Sequence, residues 1–282
     1  MNPKIKAANM PAARERIFNV PGVVLGLVAI LVIIQAICDL VSPLAHFKTL
    51  ALFAFVPGRF TFAFNPDLVT AALNATAGTD EDASQLAVFF LGDGRPLWWT
   101  PLTYAFLHGG WAHVGMNSLW LVAFGSAVAR RFGNGRFLMF CAVCAVAGAL
   151  TQFLTHMADL QPVVGASAVV SGAMAAVVRF AFQPGAPLGS AFSFVERGDH
   201  TYRLPALPLR EIFSNRNAVI FLILWFFANF LSGVFPQTMG MPGASIAWEA
   251  HIGGFLAGLL GFRWFDPPPP IARDKLPPVS PL

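Results

Sequence analysis

Long apolar runs bounded by polar or charged residues recur six times along the chain, at about 20–41, 102–129, 136–156, 162–182, 217–236 and 244–264. Each is close to the roughly 20 residues that a helix rising about 1.5 Å per residue needs to cross a hydrocarbon core about 30 Å thick. The pattern predicts an all-α polytopic membrane protein, a bundle of six transmembrane helices over residues 19–264. The first run is too long for the apolar core of a signal peptide and lacks a small-residue exit, so it reads as an uncleaved span. Residues 1–18 (Lys4, Lys6, Arg14, Arg16) read as a polar head, and residues 265–282, with Pro267, Pro268, Pro277 and Pro281, as a disordered Pro-rich tail. The connection 42–100 is long enough to be functional or structured. Its rings (Phe53, Phe55, Phe60, Phe62, Phe64, Trp98, Trp99) suit a piece lying in the membrane interface.

Composition and charge sharpen the picture. Hydrophobic residues make up 56% of the 282 residues and charged ones 11%, which excludes an ordinary soluble domain. The net charge of +4 comes from basic residues that form no single face, so nucleic acid is not an expected partner. With the N-terminus cytoplasmic, the predicted inner segments hold 15 Lys and Arg and the outer ones hold 3, namely Lys48, Arg59 and Arg95. That asymmetry favours the orientation. Cys38, Cys141 and Cys144 all fall in apolar runs, and no second Cys or His pair accompanies Cys141-x-x-Cys144, so these read as packing residues rather than metal ligands.

Within this apolar background a few polar side chains stand out, because each costs free energy in lipid. The fourth run carries Ser167 and Ser171 one turn apart, with small residues at Ala168, Gly172 and Ala176. The sixth carries His251 three residues before Gly254, with Gly258 four further on. Small residues at that spacing allow close helix approach, and packing the two faces brings Ser167 toward His251. The second run opens with His108, His113 and Asn117, the last two sharing a helical face. Read singly, these residues have blander explanations: a serine bonded back to its own helix, an interhelical asparagine, a core histidine. Read together, all lie near the outer ends of their runs and fall in one shallow layer.

A serine beside a histidine is the minimal activated nucleophile. The imidazole takes the hydroxyl proton as the oxygen attacks and returns it to the leaving amine. The oxyanion that forms needs donors, and His113, Asn117 and the Ser167 amide are the candidates.

These residues resemble the motifs of the rhomboid family of intramembrane serine proteases. His108, His113 and Asn117 match its His-x4-His-x3-Asn, and Gly165-Ala166-Ser167-Ala168 corresponds to its G-x-S-G. Ala250, His251 and Gly254 match its final A-H-x-x-G. The resemblance spans about residues 18–264 and implies a six-helix rhomboid-like bundle with Ser167 as nucleophile and His251 as base. It further implies an oxyanion site at His113 and Asn117, supported by His108, Gly165 and Gly254. The implied substrates are transmembrane segments of other proteins, single-span or otherwise, cleaved within the lipid bilayer without metal, nucleotide or other cofactor. A bacterial inner membrane is the expected location.

Two positions depart from the family pattern. Ala168 replaces the last motif glycine; as the smallest substitute, and one compatible with a helix, it is expected to leave activity intact. Ser171 stands where some members carry an aromatic ring against the catalytic histidine, so His251 is expected to be held differently. Glu249, two residues from His251, points elsewhere on the helix. Two other readings stay open: a catalytically silent rhomboid-like protein that binds membrane clients, and a transporter, against which the lack of charges along the bilayer centre argues. The fifth run (Phe221, Trp225, Phe226, Phe227, Phe230) is bulky and carries no motif residue. Together with the glycine-bearing loop 237–246 it is the expected substrate entrance.

Overall fold

The computed structural model describes residues 20–78, 80–183, 186, 202–234 and 247–268. Among them the regular structure is helical, and the only β pairing is an isolated antiparallel bridge between Phe55 and Val163. The head 1–18, the tail beyond 268 and the loop 237–246 lie outside the described residues.

Helix α1 (Gly22–Leu40) begins just after Pro21. As the capping residue it accepts at its carbonyl from the first helical amides, those of Val24 and Leu25, at 3.0 and 3.2 Å. The connection that follows folds into four short helices: α2 (Pro43–Phe53), α3 (Pro57–Phe62), α4 (Pro66–Ala77) and α5 (Glu81–Leu91). Three of them carry Pro at the start, and Ser42, Asn65 and Asp80 cap α2, α4 and α5 with side-chain oxygens that accept from backbone amides. Val56, Val69, Phe90, Leu91 and Leu160 form their own small core. Arg59 holds it together, donating to the Ala51 carbonyl at 2.7 Å and lying 3.5 Å from Asp93.

After α6 (Thr100–Thr103), α7 (Trp111–Trp120) runs through a π-helical turn at Leu121–Gly125 into α8 (Ser126–Phe132). Next come α9 (Asn134–Thr155), α10 (Ser167–Val178), the short α11 (Leu209–Ile212), α12 (Arg216–Val234) and α13 (Trp248–Phe265). Among the described residues three helices are long and apolar enough to cross a membrane: Gly22–Leu40, Trp111–Phe132 and Asn134–Thr155. Ser167–Val178 and Arg216–Leu231 are apolar but shorter.

Helix α10 is the centre of the molecule. Every residue from Ala168 to Val178 is buried, and α9, α13 and the α7–α8 helix all pack on it. Its closest partner is α13, whose two adjacent glycines face different neighbours. A methyl on Gly253 would collide with Thr151 and the Ala147 carbonyl on α9. One on Gly254 would overlap the backbone of Ala168 on α10, and one on Gly258 would overlap Gly172. The small-residue faces expected to meet do meet, at backbone distance. At the opposite end Arg131 closes the bundle. It grips Asp266 with two hydrogen bonds of 2.6 and 2.8 Å and donates to the carbonyls of Tyr202 and Leu204.

Candidate active site

The site is built at the N-terminal end of α10. Residues 162–166 are not helical, so the helix itself starts at Ser167, and Ser167 is the only α10 residue that keeps partial exposure. The segment before it is pinned on both sides. Phe55 and Val163 exchange backbone hydrogen bonds of 3.1 and 2.8 Å, Gly58 donates to the Asp159 carbonyl, and Thr61 Oγ1 donates to Met157. The helical connection 42–100 thus braces the segment that leads into the serine. Further in, the Gly165 amide donates to the Tyr104 carbonyl at 3.0 Å, and the Tyr104 hydroxyl donates to Ala145 on α9.

Gly165 has φ +120°, a conformation that L side chains rarely adopt. Space excludes a side chain as well. A Cβ built there would stand 2.7 Å from Nε2 of His113 and 3.5 Å from Nδ2 of Asn117. The ring of His113 and the amide of Asn117, one turn apart on α7, therefore converge on the backbone two residues before Ser167.

The protonation of His113 follows from its other nitrogen. The Gly109 amide donates to Nδ1 at 3.4 Å, which makes Nδ1 an acceptor and leaves the proton on Nε2, the atom facing Gly165. Nδ2 of Asn117 is buried and has no hydrogen-bond partner. Buried donors are rarely left unpaired. Here an N–H of His113 and an N–H of Asn117 are both presented beside the serine turn. His108 supports them: its ring lies 5.0 Å from that of His113, nearly perpendicular to it, and its Nε2 accepts from the Ala166 amide at 3.4 Å.

His251 lies near the start of α13, one turn before the glycine that touches Ala168. The α10–α13 contact thus carries Ser167 and His251 at the same end, and both are half-buried. Glu249 is engaged elsewhere, 3.7 Å from His156 at the end of α9. Cys144 packs against Gly172 in the core, with Cys141 buried one turn before it on α9.

One residue near the site has no counterpart in the sequence reading. Asn229 of α12 is buried, and its Oδ1 lies 2.7 Å from Nδ1 of His251. From Ala218 to Leu231 it is the one strongly polar residue, a signal that an isolated amide in an apolar run does provide.

The fold and these motifs define an integral membrane protein of one family. The Rhomboid domain model matches residues 95–265, more than half of the chain, and the chain belongs to the rhomboid family. Its similarity to the rhomboid protease GluP of Bacillus subtilis (strain 168) is 36% identity over 84 residues, 30% of this chain and 16% of that protein. To the rhomboid protease GlpG of Serratia proteamaculans (strain 568) it is 26% over 166 residues, 59% of this chain and 48% of that one. GlpG of Yersinia pestis (strain Pestoides F) matches over the same length at the same identity. The chain therefore spans less than half the length of each of these relatives.

Proposed function

We propose that the protein is an intramembrane serine endopeptidase that hydrolyses peptide bonds in or near the transmembrane segments of other membrane proteins. The observation that carries this reading is the convergence of two donors, His113 Nε2 and Asn117 Nδ2, on the turn that presents Ser167. A buried asparagine donor with no partner makes sense if an oxyanion is the partner. Membership of a family whose relatives are named proteases supports the same conclusion.

In this mechanism Nε2 of His251 takes the proton of the Ser167 hydroxyl as Oγ attacks the scissile carbonyl. The tetrahedral oxyanion accepts from His113, Asn117 and the Ser167 amide, which heads α10 and has no carbonyl within its own helix to bond. Collapse expels the amine, which takes the proton from His251. Water then hydrolyses the acyl-serine by the same two steps.

The topology that goes with this reading has six spans with the N-terminus cytoplasmic, in a bacterial inner membrane. Substrate enters beside α12 and the loop 237–246. Helix α12 presents Ile223, Phe226, Phe227 and Phe230 outward, a surface suited to a transmembrane segment. The test is labelling of the detergent-purified protein by a fluorophosphonate. Wild type should label, whereas Ser167→Ala and His251→Ala should not. A folded wild type that fails to label would favour the silent, client-binding alternative.

A further inference from the structure

A two-residue Ser–His arrangement leaves one question open: what holds the imidazole. Nδ1 of His251 needs a partner of its own, because a buried ring nitrogen without one loses its hydrogen bond to water and gains none in return. It also needs an acceptor rather than a donor. Only with the proton on Nδ1 is Nε2 bare and able to receive the serine proton.

Asn229 meets both needs. Its Oδ1 stands 2.7 Å from Nδ1, at the short end for an N–H···O bond, and the residue is 7% exposed. The register of the two helices fixes the pair. One turn away along the antiparallel contact, Trp225 stacks on Phe255 with centroids 4.2 Å apart and planes at 25°. Trp225 precedes Asn229 by four residues, and Phe255 follows His251 by four. The stack and the hydrogen bond are thus successive rungs of one interface.

We propose that Asn229 is a positioning residue for His251: its amide oxygen accepts from Nδ1, holds the ring in one orientation, and leaves Nε2 bare toward Ser167. The inference rests on the proteolytic reading above. It assigns a catalytic-site duty to the helix beside which substrate is proposed to enter.

The experiment measures cleavage of a transmembrane substrate in reconstituted liposomes, with fluorophosphonate labelling per folded protein, for wild type, Asn229→Leu, Asn229→Ala and Asn229→Asp. Thermal unfolding in detergent identifies the folded variants. Leu or Ala should lower kcat by about 10- to 100-fold with KM within about twofold, a smaller loss than removing the charged member of a Ser-His-Asp triad. Asp, which keeps an acceptor, should restore most of kcat. A folded Leu or Ala variant with wild-type kcat would overturn the inference and leave the protease reading standing. So would an Asp variant that is folded but as slow as the Leu variant. A wild type that neither labels nor cleaves would remove both.

Discussion

The methyl of Ala168 points at Gly148: a Cβ added to Gly148 would stand 2.6 Å from it. Alanine at the position after Ser167 is accommodated because the facing residue on α9 has no side chain. Adding one should crowd Ala168, the Tyr104 hydroxyl at 2.8 Å and the Ala250 carbonyl at 2.9 Å. Gly148→Ala is expected to destabilise the protein by about 1–3 kcal/mol, the usual cost of overpacking. Ala168→Gly in that background should recover part of the loss, and a double-mutant cycle on unfolding in detergent checks the coupling.

Gly165→Ala tests the donor pair from the other side. The new methyl would occupy the space in front of His113 Nε2, in a backbone conformation that costs an L residue about 1–2 kcal/mol. The variant should remain folded yet lose at least about 10²-fold in kcat, comparable to losing an oxyanion donor.

Asn117 offers a separation of stability from activity. Its Nδ2 is buried and unpaired in the resting protein, so Asn117→Leu removes an unsatisfied donor while roughly keeping volume. Unfolding should be unchanged or raised by about 1 kcal/mol, whereas kcat should fall by about 10²- to 10³-fold. A variant that loses stability and activity together would assign Asn117 to packing alone.

Arg131 should prove indispensable to the fold and remote from the chemistry. Its side chain is 5% exposed, sits over the rings of Phe180 and Phe262, and makes four hydrogen bonds that join α8, residues 202–204 and the end of α13. Arg131→Ala leaves Asp266 without its partner and is expected to cost about 3–5 kcal/mol. Lysine should not substitute, because it lacks the planar fork that grips both carboxylate oxygens. Yield of folded protein and unfolding in detergent report the effect.

Much of this arrangement was legible in the chain. The small residues at Ala168, Gly172, Gly254 and Gly258 announced the α10–α13 contact because close helix approach leaves few other choices of residue. His113 and Asn117, one turn apart, announced a shared face for the same geometric reason. The sequence was silent where long-range placement decides. That Gly148 receives the Ala168 methyl depends on how α9 crosses α10. The partner of Asn229 depends on the register of α12 against α13, and nothing local encodes it. The connection 42–100 read as interfacial; it folds into four helices whose backbone braces Val163 and the turn before Ser167. Arg131, counted in the sequence only as one of the charges that orient a membrane protein, turns out to be a structural clasp.

The helix that carries the serine has 12 residues, about 18 Å, against a hydrocarbon core of about 30 Å. An isolated helix of that length could not span lipid without exposing its ends. Sheathed in other helices from Ala168 onward, α10 has no bilayer thickness to match and is free to stop short. The shortfall leaves Ser167, the one partly exposed residue of α10, at the very head of the helix, with the non-helical residues 162–166 leading into it in place of a further turn. The proposed hydrolysis needs water at Ser167, and an undersized central helix is what would keep that residue within water's reach.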